Sequence, residues 1–433
     1  MADTPTPVDL CRDLIRFDTT NHGNGNAAGE RAAAEYVAGH LTAAGLDPVL
    51  LERSPGRSNV LTRIPGANPH LPAILAHAHL DVVPADPADW TVPPFAGELR
   101  DGRLYGRGAT DMKDVCAMLL TVAHRWAASN TRPQRDIVLA FVADEEDRGI
   151  DGAEWLVDKH PDLFEGVAAA ISETGGYTHH VNGTHLYPVA TAERGTAHLR
   201  LTARGRAGHG SRPNTDNAVT HLVHTLARIA DHPWPVRLTP TVRAYLERTG
   251  KALGIPVDLT DDAGVDATIA ALGEAGMIAA TTVRASSTPT VLDAGYKVNV
   301  IPSTATAQID VRTLPGIEDE VLATIDELLG PDITREFVAH QTPVEAPIDS
   351  DWFDAMAAAL RAEDPDAVVV PYCMGGGTDA KAFTKLGIDC FGFAPLLLPP
   401  DYDYRVQAHG VDEHIPVDAL EFGTRVLSHF LQK

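Results

Sequence analysis

Residues 73–81 read Ala73-Ile74-Leu75-Ala76-His77-Ala78-His79-Leu80-Asp81. The stretch opens as an apolar run of strand length and ends by alternating with histidine and then aspartate. A short run that is apolar on both faces is what a strand covered on both sides requires. Asn59–Ile64, Asp136–Ala143 and Val167–Ser172 are runs of the same kind, and helical spacing marks 114–127 and 152–159 between and after them. Helical spacing also covers 7–17 and 29–45. Strands alternating with helices predict an α/β fold, a mixed, largely parallel sheet covered by helices.

Outward from that core the pattern changes at about residue 194. Residues 196–204 alternate apolar and polar, as a half-exposed strand does, and 217–230 form an amphipathic helix. Strand-like 290–292, strand-like 305–312, a helix over 318–329 and strand-like 334–340 follow. Two β-α-β halves predict an inserted ferredoxin-like α+β domain. Its boundaries are placed at 194–345, inside a discontinuous first domain of 1–193 and 346–433. Residues 232–290, with Pro233, Pro235 and Pro240, read as irregular.

The chain has 433 residues, with 35 Lys+Arg against 59 Asp+Glu, a net charge of −24. That balance excludes a nucleic-acid partner, because phosphate binding needs an excess of Lys and Arg. It also opposes binding to an anionic membrane, and no apolar run approaches the ~20 residues of a spanning helix. The N-terminus shows no signal-peptide pattern. Cys11, Cys116, Cys373 and Cys390 suggest no disulfide framework, so four free thiols in the cytoplasm are expected.

Chemistry concentrates at segment ends. His79 and Asp81 share one face of an extended segment, and His77 joins them. An imidazole beside a carboxylate is a pairing that fixes a metal ligand's tautomer. In Gly106-Arg107-Gly108-Ala109-Thr110-Asp111, Asp111 precedes a helix and is either its N-cap or a ligand. Asp144-Glu145-Glu146-Asp147 closes an apolar strand with four acids, a repulsive group unless a cation or proton compensates. Glu173 ends another strand, and His409 lies in Ala408-His409-Gly410-Val411-Asp412-Glu413. Two imidazoles (His79, His409) and three carboxylates (Asp111, Glu146, Glu173) suit two divalent ions such as zinc, cobalt or manganese. Asp111 could bridge them, and Glu145 is left over.

The order HxD, GRGATDMK, DEE, SETGG, AHGVDE resembles the co-catalytic di-zinc amidohydrolase and peptidase family. Aminoacylase-1, carboxypeptidase G, succinyl-diaminopimelate desuccinylase, acetylornithine deacetylase and several dipeptidases belong to it. The resemblance runs from about residue 10 to the C-terminus. It implies two zinc ions per subunit, with cobalt or manganese as substitutes: one on Asp111, His79 and Glu173, the other on Asp111, Glu146 and His409. It implies Asp81 as the orienting partner of His79, a cis peptide after Asp111, and Glu145 as general base. Arg206–Pro213 is similar to the family's GHxSxP motif, so His209 would polarise the scissile carbonyl in a partner subunit. The inserted domain would then be both lid and dimerisation domain of a homodimer. Asn299, Arg312, Gly377 and Thr378 match positions that hold the substrate's carboxylate or oxyanion. The implied reaction is hydrolysis of the amide bond of a small N-acyl-L-amino acid or peptide carrying a free carboxylate. The alternatives are a dipeptidase or carboxypeptidase, a deacylase of acetylornithine or succinyl-diaminopimelate, and, from another class, a non-catalytic metal-binding scaffold.

Overall fold

The run that opens the sequence analysis forms the strand Ala73–His79, buried throughout. In the computed structural model, which describes residues 4–433, it lies near the middle of a ten-stranded sheet. Its neighbours Ile137–Val142 and Val167–Ser172 both run parallel to it, and Asp389–Gly392 is parallel to the latter. Ser58–Ile64 and then Val49–Glu52 extend one side antiparallel, and Thr184–Glu193 extends the other. The centre is parallel and the margins antiparallel, so the sheet is mixed as expected.

Alternation along the strands sorts two cores. Ile74, Ala76, Ala78, Leu139 and Phe141 pack with residues of the helices Pro7–Ile15, Arg31–Ala43, Lys113–Ser129, Asp351–Glu363 and Val417–Leu431. Leu75, Val138, Ala140 and Val142 pack with Ala153–Lys159 and Ala380–Phe383. Each fully buried Leu, Ile or Phe stabilises the fold by about 1.5–3 kcal/mol, so both faces must be covered. Local chemistry sets the ends. Thr6 accepts the Asp9 N–H and Pro7 starts the first helix, while Asn130 at φ 51° stops Lys113–Ser129.

The chain divides into two compact units. One holds the residues up to Thr191, Ala346–Pro371 and Thr378–Lys433; the other holds Ala192–Glu345 and Tyr372–Gly377. The second is a four-stranded antiparallel sheet in the order Ser286–Ala294, Thr304–Thr313, Gly195–Arg204, Ile333–Gln341. That is the ferredoxin-like order. Ala197, Leu199, Leu201 and Ala203 point into its core with Leu222 and Ile325 of the helices Ala218–Ala230 and Glu318–Leu329.

The expectation for 232–290 needs correction. This segment contains the helices Pro240–Leu253, Asp262–Leu272 and Glu274–Ala280, and the strand read at 290–292 spans Ser286–Ala294. Pro240 is not a breaker but the first residue of a helix, after Thr239, whose hydroxyl caps the Val242 N–H. No helix of the described residues is long and apolar enough to cross a membrane.

Candidate metal centre

Parallel pairing brings the motifs to one edge. His79 is opposite Val142, and Ala76 is opposite Ile171. The residues after three parallel strands therefore emerge together: Asp81 after the first, Asp144–Glu146 after the second, Glu173 after the third. The carboxyl edge of a parallel sheet is where α/β proteins build their sites.

His79 is 1% exposed. Its Nδ1 lies 2.9 Å from the Asp81 carbonyl oxygen, which can only accept, so Nδ1 carries the proton and Nε2 faces the acids. The Asp81 carboxylate stands 3.6 Å from Nδ1 and has other duties. Its two oxygens accept the Glu145 N–H (3.1 Å), the Glu146 N–H (3.2 Å) and the Asn21 amide (2.9 Å). Asp81 thus fixes the turn that carries the acidic pair, while its main chain orients the imidazole.

From His79 Nε2, Asp111 Oδ1 is 3.0 Å away, Glu173 Oε2 3.8 Å and Glu145 Oε2 3.9 Å. His409 Nε2 lies 3.2 Å from both Asp111 Oδ2 and Glu146 Oε2. Asp111 therefore touches both imidazoles with its two oxygens. It is not a helix cap: the helix Lys113–Ser129 has Met112 at that position. The Asp111–Met112 peptide is cis.

The charges press on one another. Burial lowers the His79 pKa, but hydrogen bonds to Asp111 and Glu173 and the fields of Glu173 and Glu145 carry it well above its usual value. His409 is pushed up to about 10 by its bonds to Asp111 and Glu146. Burial would raise Asp111, yet bonds from His409 and His79 hold it far below the usual carboxylate range. Burial, then Asp111, pushes Glu173 up to about 7. Burial, then Glu173, takes Glu145 well above its ordinary value.

Two sets of donors fit a cation, His79 with Glu145 and Glu173, and His79 with Asp111 and Glu146, each with its ligand atoms within 4.8 Å of one another. Glu146 Oε1 is buried without a hydrogen-bond partner, as expected of an oxygen meant for a cation. Imidazole plus carboxylate oxygens are zinc, cobalt or manganese chemistry. The two sets share His79 and so describe one site, while His409 Nε2, 3.2 Å from Asp111 and Glu146, offers a donor for a second cation beside it.

Behind these candidate donors lies a layer that the sequence did not announce. Arg57 Nη2 lies 2.8 Å from Asp144 Oδ1, and Arg57 Nε lies 2.9 Å from Glu30 Oε2; all three side chains are at most 7% exposed. Asp144 also accepts from Asn21 and from the Asp151 N–H. Asp379 is buried as well. A Cβ on Gly149 would lie 2.6 Å from its Oδ1, so the acidic loop needs glycine there. The side-chain bonds of Arg57 span 27 and 87 residues, and no local pattern encodes them.

Of the other expected residues, His209, Asn299, Arg312 and Gly377 belong to the second unit and Thr378 to the first. Gly208–His209 pairs with Val300–Ile301, and the Gly210 N–H donates to the Asn299 carbonyl, so the exposed His209 and Asn299 are neighbours. His209 Nδ1 accepts the Ser211 N–H at 3.2 Å, which leaves the proton on Nε2. Arg312 engages Asp310 through Nε (2.8 Å) and Nη2 (3.1 Å), and Thr196 through Nη1 (3.0 Å). Gly377 is exposed; Thr378 is buried and its hydroxyl accepts the Ala380 N–H.

The model of peptidase family M20/M25/M40 matches residues 75–433. The human N-fatty-acyl-amino acid synthase/hydrolase PM20D1 is 27% identical over 86% of this chain and 76% of its own. Human aminoacylase-1 is 28% identical over 92% of this chain and 90% of its own. The crystal structure of the M20 family metallo-carboxypeptidase Sso-CP2 from Sulfolobus solfataricus shares the fold at a TM-score of 0.73 and 20% identity, with 99% of both chains covered.

Proposed function

The chain belongs to peptidase family M20/M25/M40 and is a metal-dependent hydrolase, and from that premise we propose that it cleaves the amide bond of small N-acyl-L-amino acids carrying a free carboxylate. The observation that carries the reading is Asp111, with one oxygen toward His79 and the other toward His409 and its neighbour Glu146. Asp111, His79 and Glu173 would hold one cation, and Asp111, Glu146 and His409 the other. Zinc suits both sets, with cobalt or manganese as substitutes. When bound, such a pair polarises a carbonyl and lowers the pKa of water toward ~7.

The chain's own groups do the rest. Glu145, kept out of water and beside Glu173, has a raised affinity for a proton. It takes the proton from the attacking water and returns it to the departing nitrogen. Asp81 holds the Glu145 and Glu146 N–H groups, so the base and its neighbour keep their places. His209 donates from Nε2 to the oxygen on which charge develops. Asn299, Arg312, Gly377 and Thr378 hold the carboxylate end, Arg312 by exchanging Asp310 for the substrate.

His209 acts from a second copy in this reading, and the working form is a homodimer through the inserted unit. Support comes from the sheet edge Ser286–Ala294. Val291 (49%) and Leu292 (59%) are exposed there, with Tyr296 (82%) and Val298 (103%) just beyond. Unprotected apolar edges favour pairing with another chain. Four buried free thiols support the cytoplasm as the compartment.

Glu145→Gln tests the reading. Turnover of an N-acyl amino acid should fall by about 10^2–10^4-fold with both cations still bound. Retained turnover would remove Glu145 as the base, and loss of a cation would make it a ligand. A panel of N-acyl amino acids and dipeptides on the metal-loaded protein decides between acylase and dipeptidase.

A further inference from the structure

Glu413 is 0% exposed, four residues after His409, and it is no ligand. Its carboxylate is filled by a single loop. Oε1 accepts the Thr110 N–H (2.7 Å), the Thr110 hydroxyl (2.9 Å) and the Asp111 N–H (3.2 Å). Oε2 accepts Arg107 Nη1 (2.7 Å) and the Gly108 N–H (3.0 Å). The Glu413 carbonyl takes the Gly106 N–H at 2.9 Å. An anion ringed by donors from residues 106–111 fixes the path of that loop.

The same carboxylate reaches the second ligand-bearing loop. Arg107, held by Oε2, extends Nη2 toward the His409 carbonyl (3.4 Å), and its guanidinium lies 5.2 Å over the Trp90 ring. The His409 side chain is 56% exposed and its φ is +61°, so packing alone does not hold it. His79 and Glu173 differ, because they sit at the ends of buried parallel strands.

We infer that Glu413 is a positioning residue that locks the Asp111 loop to the His409 loop and thereby sets the affinity of the cation shared by Asp111, Glu146 and His409. The inference rests on the two-cation reading above. Glu413→Gln replaces one acceptor oxygen with an NH2 group that faces N–H donors, so the loop must move. The cation on His79, Asp111 and Glu173 keeps two of its ligands on strand ends and suffers less.

The experiment is stepwise Co2+ titration of the metal-stripped wild type and Glu413→Gln, followed by visible absorption and calorimetry, with thermal unfolding of both metal-free proteins alongside. Wild type should take two equivalents. Glu413→Gln should weaken one of them by about 10–100-fold and leave the other within a few-fold. Two equivalents at wild-type affinities in the variant would overturn the inference, and so would equal weakening of both. If the variant does not fold, Thr110→Val decides, since it removes one donor and should weaken the same equivalent by a smaller factor; unchanged affinities there also overturn it. A wild type that takes fewer than two equivalents sinks the two-cation reading itself, an outcome separate from failure of the variant.

Discussion

The two units of this chain hold their charged groups in opposite ways. In the first, Asp81, Asp144, Glu30, Arg57 and Glu413 are buried and bonded to one another or to main-chain N–H groups. In the second, His209 and Asn299 are exposed, and the Arg312–Asp310 pair is about 30% exposed. The first unit pays desolvation at folding to fix a cluster of acids before any ligand arrives. The second buries Glu193 and Arg194, but its residues expected to meet a substrate stay in water. A centre that binds cations gains from rigid donors, whereas groups that meet a substrate or a second copy gain from access.

This contrast can be broken by experiment. Asp111→Ala should have the largest effect, abolishing binding of both cations and lowering turnover by about 10^4-fold or more. Metal content near wild type would refute the shared role. Arg57→Met leaves Glu30 and Asp144 buried without their counter-ion, and denaturant melts should show a loss of about 3–5 kcal/mol. A small loss would mean that the layer behind the ligands is dispensable. His209→Ala should lower turnover by about 10^2–10^3-fold while metal content and melting temperature stay put. If metal content falls as well, the two units are not independent.

A finer test uses protons. Without cations, Glu173 (about 7) and His409 (about 10) hold protons near neutral pH. A cation must displace them, so uptake should release about one proton or more per ion and weaken as pH falls, below about 10 through His409 and more steeply below about 7 through Glu173. The cation-free protein should also lose stability as pH rises toward the Glu173 value, because the folded state there binds the proton more tightly than the unfolded chain. Calorimetry in buffers of different ionisation enthalpy reads the first effect, and urea melts at pH 5 and 8 the second. The smallest change is expected for Arg312→Met, at most about 1 kcal/mol, because its pair with Asp310 is only partly buried.

Three of the candidate ligands stand out in the sequence because they end apolar runs, and parallel strands carry such ends to one edge. That rule singles out His79, Glu146 and Glu173, and the resemblance supplies their roles. Asp111 and His409 lie outside such runs, where only the ordered motifs give a lead, and nothing in the sequence gives Glu413 a role. Segment 232–290 differs from expectation because Pro240, which starts a helix, looks like a proline that ends one. Arg57 and Glu30 left no trace, since their partners are distant in the chain.

The sequence alone determined the class of fold, the insertion and the residue types of the centre, because hydrophobic periodicity and short motifs are local. Tertiary structure decided which oxygen meets which nitrogen. It set the Asp81 carboxylate against the Glu145 and Glu146 N–H groups, 64 and 65 residues on, and it filled Glu413 with donors from a loop 302–306 residues away. Long-range hydrogen bonds depend on where strands end in space, and no window along the chain contains both partners.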